Sequence, residues 1–241
     1  MADGCVPAVK LSLMTFSNFL LALAVTALAL GADPLDDARN RQDRGYIRWA
    51  VTQADAAAKK NPKDAAAQYR LALTQSVRAE VALEVHDKGI AQSAAEDGYS
   101  AAERAVELQP RVAEYHRILG TLCGQVIPAK LWLAVRYGGC ARSEITRAIE
   151  LDGKSARAYL SRGVGNYYLP SGMGGGFDLA LHDFDKAIQL DPNLADAYLW
   201  RGIALRKLHR NAEAYRSIAK SLQLNPGRIW AKEQLAKTPQ K

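Results

Sequence analysis

The chain has 241 residues, 49% of them hydrophobic and 7% aromatic, and a formal charge of +7. That length suits one domain with a continuous core, while the near absence of β-branched alternation leaves strands without support. The composition therefore predicts an all-α protein and excludes folds built on a sheet.

From the N-terminus, Lys10 precedes an apolar run over residues 19–30, and the polar, acidic stretch DPLDDARNRQDR follows. This is the pattern of a secretory signal peptide over residues 1–32, with Ala27-Leu28-Ala29 as its small-x-small exit and Leu30-Gly31-Ala32 as a second option. The expected mature chain begins at Leu30 or Asp33 and is periplasmic or secreted. The alternative is an uncleaved membrane anchor over residues 11–30, whose first half Ser12, Thr15, Ser17 and Asn18 dilute. No cysteine follows the run, so lipid anchoring is not indicated.

Residues 33–61 are expected to form one long N-terminal helix, with Tyr46, Trp49, Ala50 and Ala57 on its apolar side. An overlong helix follows over 65–86, then a polar joint, DKGIAQSAAED, and a helix that stops at Pro110. The next helix is expected over 113–125. Insertions lengthen two later connections, at 126–139 and 167–177, whereas residues 195–224 form an uninterrupted unit. A terminal capping helix is expected within 228–238, so that the repeats occupy 62–227 of a single helical domain over 33–241.

The stretch KAIQLDPNLADAYLWRGIAL, residues 186–205, closes one amphipathic helix, breaks at Asp191-Pro192-Asn193 and restarts the 3.6-residue period. The same joint recurs at Pro62, Pro110, Gly153 and Pro226, so the successive spacings are 48, 43, 39 and 34 residues. Small residues fall where antiparallel helices must approach: Ala72, Gly120, Gly163 and Gly202 in the first helices, Gly98, Ala141, Ala180 and Ala214 facing them. Ala105, Ala148, Ala187 and Ser221 repeat near the ends of the second helices. Over about residues 60–237 the chain thus resembles the tetratricopeptide-repeat (TPR) family, whose unit has the final spacing. The resemblance implies an α-solenoid of antiparallel helix pairs with a C-terminal capping helix. Arg162 and Arg201 stand where the family has an aliphatic residue, and Gln75 and Asn166 where it prefers a bulky one.

No catalytic constellation emerges, so the chain is not expected to be an enzyme. His86, His116, His182 and His209 are dispersed without the spacing that places two metal ligands on one helical face, and read as helix-surface residues. The stretch SGMGGG lacks the Lys-Ser/Thr of a phosphate loop, and Gly163-Val164-Gly165 falls inside a helix. Asp183 and Asp185 fall on different faces of one helix, and no GxSxG elbow is present. Neither a metal nor a cofactor is expected.

The work of such a chain is binding, with a protein or peptide partner. The connection Pro170-Ser171-Gly172-Met173-Gly174-Gly175 is similar to that of the periplasmic TPR component associated with tripartite (TRAP-type) solute transporters, a likeness that spans about residues 94–226. It implies an accessory protein that contacts a solute-binding subunit, with a small apolar ligand as the alternative cargo. In such arrays the first helices line a concave groove, here Arg117 and Thr121, then Leu160 and Val164, then Leu199 and Ile203, with Tyr167, Tyr168 and Trp200 beside them. That floor is apolar with a polar end, suited to an apolar segment that Arg117 orients rather than to a terminal carboxylate. The same residues would otherwise pack under the insertions at 126–139 and 167–177.

Two further features are legible. Cys5 leaves with the signal, so Cys123 and Cys140 remain as an even pair, bridged in an oxidising compartment or present as two small buried thiols. From residue 200 onward ten Lys and Arg face only Glu213 and Glu233. Arg206, Lys207, Arg210, Arg216 and Lys220 are then either the solvated face of a terminal repeat or a docking surface for an acidic partner or an anionic membrane; nucleic acid is not expected there.

Overall fold

The computed structural model describes Met1, residues 33–129 and residues 132–240. The signal expected over 1–32 lies outside the described residues except for Met1. Residues 35–241 form one compact unit.

Eleven α-helices and no strand occur among the described residues. They are α1 (Pro34–Asn40), α2 (Arg44–Lys60), α3 (Ala65–Glu84), α4 (Lys88–Leu108), α5 (Ala113–Val126), α6 (Leu133–Leu151), α7 (Ala156–Tyr168), α8 (Phe177–Leu190), α9 (Ala195–Lys207), α10 (Asn211–Leu224) and α11 (Ile229–Ala236). Short 3₁₀ turns, Ile127–Ala129 and Ser171–Met173, occupy the two lengthened connections. The strongest packing is within the hairpins α3/α4, α5/α6, α7/α8 and α9/α10, and each hairpin stacks on the next.

All five joints share one hydrogen-bond pattern. The amides of Asn61, Gln109, Asp152, Asp191 and Asn225 donate back to the carbonyls of Ala57, Ala105, Ala148, Ala187 and Ser221. Their own carbonyls then accept from the residues three positions on, Asp64, Val112, Ser155, Leu194 and Arg228. The chain thereby turns in one tight step, and Asp64 and Ser155 cap the following helices through their side chains. Even the weakest copy in sequence, at Asn61, keeps the geometry.

Small residues admit the close crossings. A Cβ on Gly202 would lie 2.4 Å from Ile218 Cγ1 and 2.9 Å from the Ala214 carbonyl; one on Gly163 would lie 2.5 Å from the Phe184 ring. Three of the four polar departures from the repeat pattern, Arg162, Asn166 and Arg201, are explained by acid partners on α8. Asp183, 2% exposed, accepts from Arg162 at 2.9 and 2.6 Å and from Asn166 at 2.9 Å, while Arg201 meets Asp185 at 2.6 Å. A buried carboxylate is tolerated because its lone pairs are filled by a guanidinium and an amide.

Two expectations are corrected. The single helix over 33–60 is two, broken at Arg41–Asp43, where Gln42 adopts φ +53° and the Asp43 amide reaches back to the Ala38 carbonyl. The polar joint after residue 86 is helical instead: α4 starts at Lys88, and the chain reverses through His86 at φ +63° alone.

Candidate functional site

The inner side of α7 carries Leu160, Val164 and Tyr167, half-buried against Ala180, Leu181 and Phe184 of α8 and Ala204 and Leu205 of α9. From there aromatic rings form a cluster that reaches α11. Tyr167 meets Tyr168 at 5.0 Å, Phe177 at 5.3 Å and Trp200 at 5.6 Å between centroids, and Trp200 meets Trp230 of α11 at 5.2 Å. The pairs are tilted or edge-on, the arrangement the ring quadrupole favours. Tyr168, 64% exposed, ends this ledge in solvent.

The expected groove is corrected at two points. Leu199 and Ile203 are 0% and 4% exposed, packed with Ile218 and Ala231, because α11 lies over that part of α9 and not because an insertion folds back. Arg117 is only 9% exposed, and its guanidinium is held by Glu114 at 2.7 and 2.5 Å. Thr121 donates to the Arg117 carbonyl at 2.8 Å and to Ser161 at 3.2 Å. Burial would raise the Glu114 carboxyl, but the Arg117 and Tyr69 hydrogen bonds hold it below its ordinary value. The Arg117 guanidinium is thus engaged by Glu114 of its own helix and lies 3.4 Å from the Ser161 hydroxyl of α7.

The sequence concealed a second inner feature. The C-terminal turns of the overlong α3 bring Glu80 and Glu84 to the N-terminal ends of α9 and α11. Arg39 of α1 donates to Glu80 at 2.9 and 2.6 Å and to Asp196 at 2.6 Å. Arg228, 1% exposed, donates to Glu80 and Glu84 at 3.0 Å, with a second, shorter bond to Glu84. Asn225 donates to Asn40 at 3.0 Å beside them, so the first and last turns of the array touch. Three carboxylates face two guanidiniums here. Burial, then the neighbouring Glu80 charge, pushes Glu84 up to about 7 despite Arg228; at Asp196 the charges of Arg39 and Arg228 overcome burial and hold the carboxyl low.

Residues 184–216 match the family model of the tetratricopeptide repeat. The protein TTC0263 of Thermus thermophilus, described as a thermophilic TPR protein, superimposes with a TM-score of 0.61 at 21% identity, over 91% of this chain and 97% of that one. The fold is a tetratricopeptide-repeat solenoid. The HusA haemophore from Porphyromonas gingivalis has a similar fold, with a TM-score of 0.55 at 17% identity over 82% of this chain and 96% of its own. A comparison with curated proteins finds no match.

Cys123 of α5 and Cys140 of α6 are joined as a disulfide. The basic surface is smaller than its sequence suggests. Arg206 turns inward to Gln234 and Thr238, with bonds of 2.7 to 3.0 Å that fasten the end of α11, and Arg210 is paired with Glu213 at 2.8 and 2.7 Å. Lys207, Arg216 and Lys220 are exposed. His116 is not a surface residue but is 6% exposed, between Glu144 at 2.7 Å and the Pro110 carbonyl at 2.9 Å. No group of three His, Cys, Asp or Glu able to hold a metal occurs among the described residues. No described helix is long and apolar enough to cross a membrane.

Proposed function

We propose that this TPR solenoid is an exported binding scaffold whose partner is a protein segment with apolar side chains, laid across the aromatic ledge of α7, α9 and α11. The observation that carries the reading is Tyr168, 64% exposed at the edge of the cluster formed by Tyr167, Trp200 and Trp230. Such rings supply large contact area at low entropic cost, and aromatic residues are enriched where binding energy concentrates. A protein segment suits the ledge better than a small apolar ligand, which needs enclosure. Two depressions of the described surface, of about 190 and 550 Å³, share no residue with it.

Export is supported by the apolar run with its small-x-small exit and by the Cys123–Cys140 bridge, since such bridges persist in oxidising compartments. A transporter's solute-binding subunit is the narrower partner reading, favoured by the Pro170–Gly175 connection that leads directly from Tyr168. Affinity capture from the native cell envelope, repeated with Tyr168→Ala, tests the ledge. The substitution should weaken the captured partner at least tenfold without lowering Tm, because the side chain is exposed; equal capture would refute the assignment. N-terminal sequencing of the same preparation should begin at Leu30 or Asp33.

A further inference from the structure

Three of the four polar departures from the repeat pattern have acid partners: Arg162 and Asn166 on Asp183, and Arg201 on Asp185. Gln75 has none. It lies mid-way along α3, 5% exposed, and its side-chain oxygen lacks a hydrogen-bond partner. An unsatisfied buried amide oxygen is destabilising, a cost that a leucine at that position would avoid. A residue that destabilises its own fold in this way invites a role outside it.

Gln75 lines a depression of about 550 Å³ between α2, α3 and α4. Acceptors predominate around it. Asp55 is already paired with Lys59 at 2.7 Å, and Glu96 accepts from Gln92 at 2.9 Å. Asp97 and the Ser100 hydroxyl, one helical turn apart on α4, have no hydrogen-bond partner among the described residues. Val51 and Leu71 supply apolar wall. With Lys59 neutralising Asp55, Glu96 and Asp97 leave the lining with two net negative charges.

We propose that this depression is a binding site for a small organic ammonium compound, its alkyl body against Val51 and Leu71 and its charged end on Gln75 and Asp97. An ammonium group offers three donors and no acceptor, the complement of a lining composed of an amide oxygen, carboxylates and a hydroxyl. A bare divalent ion is a poor match, because no three acidic side chains converge to hold one among the described residues. An anion meets repulsion, and a neutral hydrocarbon leaves the amide oxygen unpaired. The site is independent of the aromatic ledge, with which it shares no residue.

Titration calorimetry of the mature chain at low salt tests it, with 1,4-diaminobutane as probe and succinate as the reversed-charge control of similar length. The expected result is saturable binding of the diamine, with Gln75→Leu and Asp97→Asn each weakening it at least tenfold. Gln75→Leu should meanwhile leave Tm unchanged or raised, since it removes an unpaired amide. Asp97 is exposed, so Asp97→Asn gives a reading even if the core variant fails to fold. Absence of saturable uptake, or uptake equally strong in Asp97→Asn, overturns the proposal, as does equal binding of succinate.

Discussion

Two kinds of seam hold this solenoid, and they obey different physics. Inside the α9/α10 hairpin the helices meet through Gly202, Ala214 and Ile218, an apolar contact whose strength lies in close approach. Where the two ends of the array meet, Arg39 and Arg228 are enclosed by Glu80, Glu84 and Asp196, a charged contact in which Arg39 reaches Asp196, and Arg228 reaches Glu80 and Glu84, across more than a hundred positions of sequence. Packing serves where the chain itself brings helices together. Where nothing in the sequence enforces proximity, paired charges and hydrogen bonds select one arrangement, because any other leaves a buried ion without its partner.

The charged seam is the more fragile to a one-sided change. Arg228→Met should lower stability by about 3–5 kcal/mol in urea unfolding, since it strands the buried Glu84 without its hydrogen-bonded counter-charge, while Glu80 keeps Arg39. Replacing Arg228 by Met and Glu84 by Leu together should cost much less, and equal losses in the single and double variants would show that the charges are not coupled. For the apolar seam, Gly202→Ala should cost about 1–3 kcal/mol, because Ile218 and the α10 backbone must retreat from the new methyl. The same change at Gly165, which faces open space, should cost little or be favourable.

The charged seam also responds to pH. Glu84 carries a folded value of about 7 against an ordinary 4.5, so the folded state holds a proton that the unfolded chain has released between those values. Its contribution is therefore greatest below about 4.5 and disappears as pH rises through about 7. Asp196 and Glu114, held low, act in the opposite sense and lose their contribution in more acidic solution. Urea midpoints measured from pH 5 to 8 should decline with pH in the wild type and flatten in Glu84→Gln; parallel slopes would refute the assignment.

The repeat was legible because its signals are local. Proline or glycine at each joint and small residues at fixed offsets report on helices that neighbour each other in the chain, and all five joints keep the expected bonds. The break at Gln42 was hidden because the left-handed position is filled without glycine, so the usual stop signal is missing, whereas the stop at His86 was expected and only the helical start at Lys88 was missed. Leu199 and Ile203 were misplaced on an open face because their burial depends on where α11 lands. Arg228 could not be singled out among the ten basic residues near the C-terminus, since its partners lie on α3. The overlong α3 was the one available clue: its extra turns must reach something, and they reach the far end of the array.

That contact alters how the molecule comes apart. A solenoid stabilised only by each repeat's neighbours frays from whichever terminus is weaker, shedding units one at a time. Here neither terminal unit can peel away without first breaking the bonds of Arg39 and Arg228. Loss of the outermost helix and loss of the opposite end become a single event, so a chain built from five serial joints unfolds as one cooperative body rather than as a string of separable parts.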